Sequence, residues 1–355
     1  MENLLSVSLA FVVAAFITWY YIPRIVSIVK KLQLVDKPAN HKIHKLEIPT
    51  LGGIGIIAGF AFGFLIAVNG YVENVPVLAL VIIGLLFTGL KDDLIHVNPW
   101  TKFLEIILLT SIVVLMTDLR FTSLHGFMGI SDLPLWISCV LTIFIMVLII
   151  NSVNLIDGID GLAASVGIVA SLSFGIWFWL SDDYGYAVMS AALLGSLIAF
   201  LPFNISGGQR KIFMGDTGSL AIGFILAVFA IRFNELDASD KTFHDFYSAP
   251  TVSIAILILP LFDTLRIIVL RLYHKHSLFT ADNRHIHHLM LQAGFSHRMT
   301  TLLLTIFNVI IIIVALLLDH LGILWLGLIL LLLCILADEL VRFRIRRKMS
   351  QKTNI

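Results

Sequence analysis

Charge is scarce in this chain. Of its 355 residues only 13% are Asp, Glu, Lys or Arg, about half the share found in soluble globular domains. Hydrophobic residues make up 59% and the mean hydropathy is +0.98. That balance excludes a water-soluble globular protein and places most of the polypeptide in lipid. Cysteine is nearly missing as well. Cys139 and Cys334 lie in separate apolar runs, which excludes a disulfide frame and a thiolate metal site and leaves both as small core residues. The first apolar stretch, Leu4 to Tyr21, has neither a basic leader nor a small-residue cleavage site, so it reads as a retained helix rather than a signal peptide. There is no GxxxxGK phosphate loop, no internal repeat and no low-complexity tract.

What the chain has in quantity is apolar runs. Taking about twenty residues per span, helices are predicted near 3–22, 51–69, 76–90, 101–118, 134–152, 161–180, 187–203, 217–233, 251–271, 300–318 and 322–341. The expected fold class is an all-α, polytopic integral membrane helical bundle of about 11 transmembrane helices. It is expected to form a single transmembrane catalytic domain over 1–341, with a basic cytoplasmic tail over 342–355. With the N-terminus outside, only Arg120, Arg232 and Lys241 fall on the outer side. The other Lys and Arg residues fall inside, as the positive-inside rule requires, and the C-terminus is cytoplasmic. The tail, VRFRIRRKM from Val341 to Met349, is suited to anionic lipid headgroups.

The unusual polar residues gather on the inner loops. Carboxylates at or within a membrane are costly and are read as functional. Asp92 and Asp93 end the third run; adjacent carboxylates repel unless a cation lies between them, which points to Mg²⁺ or Mn²⁺ with a phosphate ligand. In NSVNLIDGIDGLA, Asn151, Asn154, Asp157 and Asp160 recur every third residue. A continuous helix cannot aim all four at one ligand. Gly158 and Gly161 let the helix end there, around a polar group. In KIFMGDTGS, Asp216 or Thr217 is expected to cap the following helix, whose free N–H groups favour an anion, with Asn204 and Arg210 nearby. In RHIHH, helical spacing puts His285 and His288 on one face and turns His287 away. With no cysteine near and hard-cation ligands around, phosphate binding by these histidines and Arg284 is favoured over zinc. HKIHKLEIPTLGG supplies Lys42, His44 and Lys45 before a glycine pair that permits close helix packing.

The order DD, NxxNxxDGxDGLA, FMGDTGS and HxHH on the inner loops of an eleven-helix protein resembles the polyprenyl-phosphate N-acetylhexosamine-1-phosphate transferases, the superfamily of WecA, TagO and MraY. The likeness runs from IPTLGG to His288, and its long Asn/Asp/Gly motif and GDTGS are specific. It implies transfer of N-acetylhexosamine 1-phosphate, GlcNAc-1-phosphate first, from a UDP-sugar to undecaprenyl phosphate with release of UMP, at the start of a cell-envelope polysaccharide. It also implies an enzyme dependent on Mg²⁺, with Mn²⁺ as a substitute, in the bacterial inner membrane with its site on the cytoplasmic face. Implied catalytic residues are Asp92, Asp93, Asp157 and Asp160, and implied metal residues are Asp216, Asp92 and Asp93. Implied substrate-binding residues are Lys45, Asn154, Asn204, Lys211, Arg284, His285, His287 and His288. Expected partners are undecaprenyl phosphate, a UDP-N-acetylhexosamine and membrane lipids; nucleic acid is not among them, and the family likeness extends to a homodimer. HIHH, where MraY-type chains carry three histidines in a row, favours the WecA/TagO branch. Lys45 ahead of Pro49 and the wording PFNISGGQRKIF keep MurNAc-pentapeptide, FucNAc and QuiNAc as alternative sugars.

The chemistry needs positive charge, because a phosphate monoester must approach a diphosphate. Mg²⁺ on Asp216, with Lys45, Lys211 and Arg284, can offset that repulsion. The lipid phosphate is already ionised near neutrality, its second pKa being about 6, so alignment matters more than a strong base. A transporter or ion channel is the rival class, but it is expected to carry ionisable groups at mid-span and two related halves, and this chain has neither. A membrane metallohydrolase built on the histidines is the other.

Overall fold

A computed structural model describes residues 2–32, 35–36, 48–68, 72–237, 246–275 and 284–353. The chain runs through α1 (Glu2–Lys31), β1 (Val35–Asp36), β2 (Ile48–Pro49), α2 (Gly52–Ala67), α3 (Val75–Ile95), α4 (Pro99–Met116), α5 (Leu135–Ile156) and α6 (Leu162–Leu180). It continues through α7 (Tyr184–Ile205), α8 (Gly215–Asp237), α9 (Ala249–Ile256), α10 (Ile258–Tyr273), α11 (Ile286–Gln292), α12 (His297–Leu317) and α13 (Ile323–Thr353). The two short strands pair antiparallel, Val35 opposite Pro49. Among the described residues nine helices are long and apolar enough to cross a membrane, and α9 with α10, bent by 87°, counts as a tenth span. The apolar helix α2 is shorter, at 16 residues. Each of the predicted runs coincides with one of these helices or with the bent pair, and the protein is an all-α, multi-pass membrane protein.

The bundle is built around α8. Leu220, Phe224, Ala227 and Ile231 are fully buried, and so are Ala221, Ile225, Val228 and Phe229 on its other faces. A helix apolar around its whole circumference belongs inside, and α2, α3, α5 and α6 pack on it. On the periphery the reverse holds: Leu108 and Leu115 of α4 and Leu328 and Leu332 of α13 stay exposed, as faces turned to lipid do.

The break between α9 and α10 has a local cause. Pro260 has no N–H to donate to the Ile256 carbonyl, so the helical ladder fails there. Asn308 of α12, fully buried, supplies the missing donor, its Nδ2 bonding the Ile256 carbonyl at 3.2 Å. Buried backbone freed inside a membrane must find such a partner.

Two helices outrun their predicted ends by the most. α1 continues to Lys31, where the Lys30 ammonium bonds the Gln209 carbonyl at 2.5 Å. The predicted tail 342–355 is, as far as Thr353, the continuation of α13. Its arginines find acids on earlier turns, Arg342 with Asp338 and Arg346 with Glu339, each at 2.8 Å; such pairs stabilise an exposed helical extension.

Glycines set how close α2 and α3 come to the start of α8. A Cβ on Gly53 would stand 2.1 Å from the Gly218 nitrogen, and one on Gly89 would stand 2.4 Å from the Asp216 carbonyl. Both obstacles are backbone. The approach is then fixed by main-chain bonds: Gly52 N–H to the Phe213 carbonyl at 2.9 Å, Gly53 N–H to Met214 at 2.8 Å and Phe213 N–H to Pro49 at 2.8 Å. Gly53→Val is expected to destabilise the protein by roughly 1–3 kcal/mol or more through overpacking, measured as a lowered Tm of the purified protein in detergent. Gly327→Val, where a Cβ meets nothing within 4 Å, is expected to leave the Tm within a degree or so of the parent.

Candidate active site

The start of α8 presents free N–H groups inside a membrane protein, and these must be satisfied. The expected cap, Asp216 or Thr217, lies instead within the first turn, because the helix begins at Gly215. The cap comes from α3. One oxygen of Asp93 accepts the Asp216 N–H at 2.9 Å, and the other accepts the Thr217 N–H at 3.0 Å and the Thr217 hydroxyl at 2.5 Å. Asp93 thus spends both oxygens on the helix, where a carboxylate also suits the positive end of the dipole. This corrects the expectation that Asp92 and Asp93 face one cation together: they diverge, one to the cap and the other to the cluster beside it.

That cluster centres on Lys102. Asn98 caps α4 by accepting the Trp100 N–H at 2.9 Å, and Pro99 occupies the first helical position, which places Lys102 in the opening turn. Its ammonium donates to Asp92 at 3.2 Å, to Asn154 Oδ1 at 3.3 Å and to the Asp216 carboxylate. Asn154 Nδ2 in turn donates to Asp216 and to the Ser219 hydroxyl, both at 2.8 Å. Asp92 also accepts the Val97 N–H at 2.6 Å. Three segments far apart in the chain therefore place two carboxylates and an amide oxygen around one cation. Sequence reading passed over Lys102; the available signal was a lysine in the first turn of a predicted span.

α5 ends at Ile156, as the glycines require, and Asp157 forms its C-cap. Although Asp157 keeps some exposed surface, burial of its carboxyl, with the charges of Asp216 and Asp93 close by, raises its pKa well above the usual carboxylate range against a hydrogen bond from the Gly215 N–H. Asp160 accepts from Lys211 at 2.6 Å, while its other oxygen is buried with no hydrogen-bond partner. Lys211 also stands 5.2 Å from the centre of the Phe213 ring. Asn204 is fully engaged in the frame: its oxygen accepts the Gly161 N–H at 2.6 Å and its amide donates to the Ile212 carbonyl at 3.0 Å. The structure therefore gives it a clasping role between two site loops in place of the expected substrate contact.

The histidines are arranged differently from the helical prediction. α11 begins only at Ile286, with His285 as an extended N-cap, so helical spacing does not apply to His285. His285 and His287 are buried with their rings nearly parallel, 5.7 Å apart, and His288 is half-buried with its ring 4.3 Å from that of His287. His287, expected to point away, packs against the Asp157–Gly158 turn: a Cβ on Gly158 would lie 2.4 Å from its Nε2. Burial holds His287 neutral, its pKa pushed down to about 3, with the neighbouring His288 charge the next cause. Its Nδ1 is buried without a partner. Asp263 and Arg266 of α10, also missed in the sequence, hold this segment. Asp263 accepts from His285 Nδ1, from the Ile286 N–H, both at 2.8 Å, and from Arg266 at 2.9 Å. The carbonyl of Arg284 accepts from Arg266. Lys45, Lys42 and His44 lie outside the described residues.

A metal ion was expected on Asp216, Asp92 and Asp93. Among the described residues no three His, Cys, Asp or Glu side chains come together as a ready-made metal cage. Asp92 and Asp216, with the Asn154 oxygen, nevertheless already converge on the Lys102 ammonium. Hard oxygen donors including one or two carboxylates, completed by substrate phosphates, suit Mg²⁺. The residues fit the ion, with Asp93 behind them as the group that holds Asp216 in place.

Comparison with known proteins converges on this same region. The model of the family described as glycosyl transferase family 4 matches residues 75–234, the span that carries Asp92, Lys102, Asn154, Asp157 and Asp216. A probable undecaprenyl-phosphate N-acetylglucosaminyl 1-phosphate transferase of Bacillus subtilis (strain 168) is 31% identical over 346 residues, covering 96% of this chain and 92% of the relative. An undecaprenyl-phosphate alpha-N-acetylglucosaminyl 1-phosphate transferase of Yersinia pestis is 32% identical, with 86% and 82% covered. A decaprenyl-phosphate N-acetylglucosaminephosphotransferase of Mycobacterium leprae (strain TN) is 30% identical, with 82% and 78% covered.

The raised Asp157 carboxyl has a consequence for stability. Its unfolded-state pKa is about 3.9, so the unfolded chain ionises first, and the fold loses stability as pH rises from about 4 through the raised value. Asp157→Asn is expected to raise the Tm by roughly 2 °C or more at pH 7 in metal-free buffer. The gain should shrink toward zero at pH 4, as read by thermal melts at the two pH values.

Proposed function

This chain belongs to glycosyl transferase family 4, the polyprenyl-phosphate sugar-1-phosphate transferases, and from that premise we propose that it transfers N-acetylglucosamine 1-phosphate from UDP-N-acetylglucosamine to undecaprenyl phosphate. The products are UMP and the undecaprenyl-diphosphate-linked sugar that begins a cell-envelope polysaccharide. The observation that carries the reading is the convergence of Asp92, Asn154 and Asp216 on Lys102 beside the buried Asp157 and the histidine segment. The donor class follows from the relatives of Bacillus subtilis and Yersinia pestis, whose names specify the N-acetylglucosaminyl 1-phosphate group and the undecaprenyl acceptor.

An apolar groove of about 510 Å³ supports the lipid half of the reading. It is walled by α5, α8, α9, α10 and α13, with Leu148 and Ile149, Leu257 and Leu265, and Leu328 and Leu331 among its lining. The α5 wall ends at Ile149, and Asn154 lies five residues further along the same helix, about 7–8 Å at helical rise. A polyprenyl tail in the groove would run toward the end of α5 that carries Asn154. The site lies on the face where the basic residues collect, which supports a cytoplasmic location by the positive-inside rule.

In the proposed reaction an oxygen of the lipid phosphate attacks the phosphorus that carries the sugar, and the bond from that phosphorus to the UMP oxygen breaks. Lys102 supplies positive charge where the two anions meet. Lys211, held by Asp160, supplies more in the loop that leads into α8. Neutral His287 offers polar contact without adding charge, and Asp157 ties the end of α5 to the start of α8 by accepting the Gly215 N–H. A magnesium ion, held by Asp92 and Asp216, supplies Lewis-acid stabilisation of the phosphate oxygens when bound. Phosphoryl transfer gains most from such alignment and charge compensation.

The test is formation of labelled lipid-linked sugar and UMP from radiolabelled UDP-N-acetylglucosamine and undecaprenyl phosphate by the purified protein. Activity is expected to vanish with EDTA and to return with Mg²⁺ or Mn²⁺. Asp216→Asn and Lys102→Met are each expected to lower kcat on the order of 10²–10³-fold. Full turnover by either variant, or turnover confined to another UDP-sugar in a parallel panel, overturns the corresponding part of the reading.

A further inference from the structure

The C-terminal half of α13 carries no residue of the cluster just described, yet it makes a buried contact of its own through Asp338. Asp338 is 7% exposed although it sits on a helix whose other faces are turned outward. One of its oxygens accepts from Arg266 at 2.8 Å, and the other accepts from Arg342 at 2.8 Å. Arg266 then reaches Asp263 at 2.9 Å and the Arg284 carbonyl. Asp263, 1% exposed, closes on His285 Nδ1 and on the Ile286 N–H. A continuous chain of charged hydrogen bonds therefore runs from α13 through α10 to the N-cap of α11, where the histidines begin. Two further contacts tie the same segments: the Arg344 guanidinium stands 4.2 Å from the Phe295 ring centre, and Lys348 Nζ lies at Gly294.

We propose that Asp338 is a positioning residue for the transfer reaction, acting through Arg266 and Asp263 to hold His285, and with it His287, against the Asp157–Gly158 turn. The physical argument is one of alternatives. His285 is the N-cap of α11 and its carbonyl accepts the Leu289 N–H at 3.0 Å, but its ring lies outside the helix and is oriented by Asp263. Arg266 is shared between two buried carboxylates and a carbonyl, and a fork of fixed geometry binds in one orientation when all its partners are present. Removing Asp338 leaves that guanidinium free to turn fully toward Asp263, in competition with His285 and Ile286. Breaking one partner of a buried pair is costly for the group left behind, and here that group, Arg266, shares with His285 the Asp263 carboxylate that orients the histidine. An apolar residue at 338 would suffice if α13 were only a membrane anchor. The inference rests on the reading of the histidine segment as part of the reacting site.

The experiment is a double-mutant cycle in the full-length purified enzyme: Asp338→Ala, His285→Ala and the pair, with kcat and KM measured separately for the UDP-sugar and the lipid phosphate. Asp338→Ala is expected to lower kcat on the order of 10- to 100-fold, with Asp338→Glu restoring part of the loss. On the His285→Ala background the loss from Asp338→Ala is expected to fall to less than about threefold, because the residue it acts through is gone. Fully additive losses, or a wild-type kcat for Asp338→Ala, overturn the proposal. Should Asp338→Ala fail to assemble, the near-isosteric Asp338→Asn is run through the same cycle with the same criteria. Labelling of His285 by diethyl pyrocarbonate, followed by mass spectrometry, separates this link from the reaction itself. It is expected to speed up several-fold in the Asp338 variant whether or not the sugar has been identified correctly, and an unchanged labelling rate counts against the link. Wild-type enzyme that makes no UMP sinks the functional reading instead.

Discussion

The site depends on one carboxylate closing one helix. α8 begins against α2 and α3, where its first N–H groups need a partner, and Asp93 of α3 takes that part. Because the bond is made by a side chain on another helix, it fixes the depth and rotation of α8 relative to α3 as well as ending the helix. Asp216, one residue into α8, is thereby set beside Asp92 and Lys102. Glycines make that closeness feasible: Gly89 passes against Asp216, and Gly53 passes against Gly218. The most deeply buried of the described spans thus begins at a cluster of charged and polar side chains.

Around that point the charges are deliberately out of balance in position rather than in sum. Asp92, Asp157 and Asp216 crowd one region, and Lys102 bonds two of them. Such an arrangement is costly to fold, since buried ion pairs seldom repay their desolvation. It is useful to a protein that must bring two anionic phosphates together, because groups already desolvated and aimed need little reorganisation when substrate arrives. The same logic explains the histidine segment, which is kept in place by a chain of charged hydrogen bonds in which Asp263 and Arg266 are almost wholly enclosed.

The positions of the helices were legible in the sequence because apolar runs of about twenty residues have one stable solution in lipid. The end of α5 at Ile156 was legible for a similar reason: its glycines and carboxylates leave no reason for a helix to go on. The end of α13 was not. Arg342 and Arg346 look like a tail until Asp338 and Glu339 are placed one and two turns behind them. The bend at Leu257 was also hidden, since Pro260 alone breaks a ladder but only Asn308 of another helix makes the break tolerable.

Residue types and their order in this chain determined the membrane class, the span positions and the set of loops that carry chemistry, because hydropathy and motif spacing are local properties. They also singled out most of the acidic and histidine residues that meet at the site. Which of these face the reacting groups was decided only by tertiary structure. Asp93 became a helix cap and Asn204 a clasp, while Lys102, Asp263 and Arg266 entered the site unannounced, because a side chain's role depends on partners fifty or a hundred residues away. Local pattern can specify which polar groups a membrane protein keeps; only the packed bundle specifies which of them are already satisfied by the fold and which are left to act.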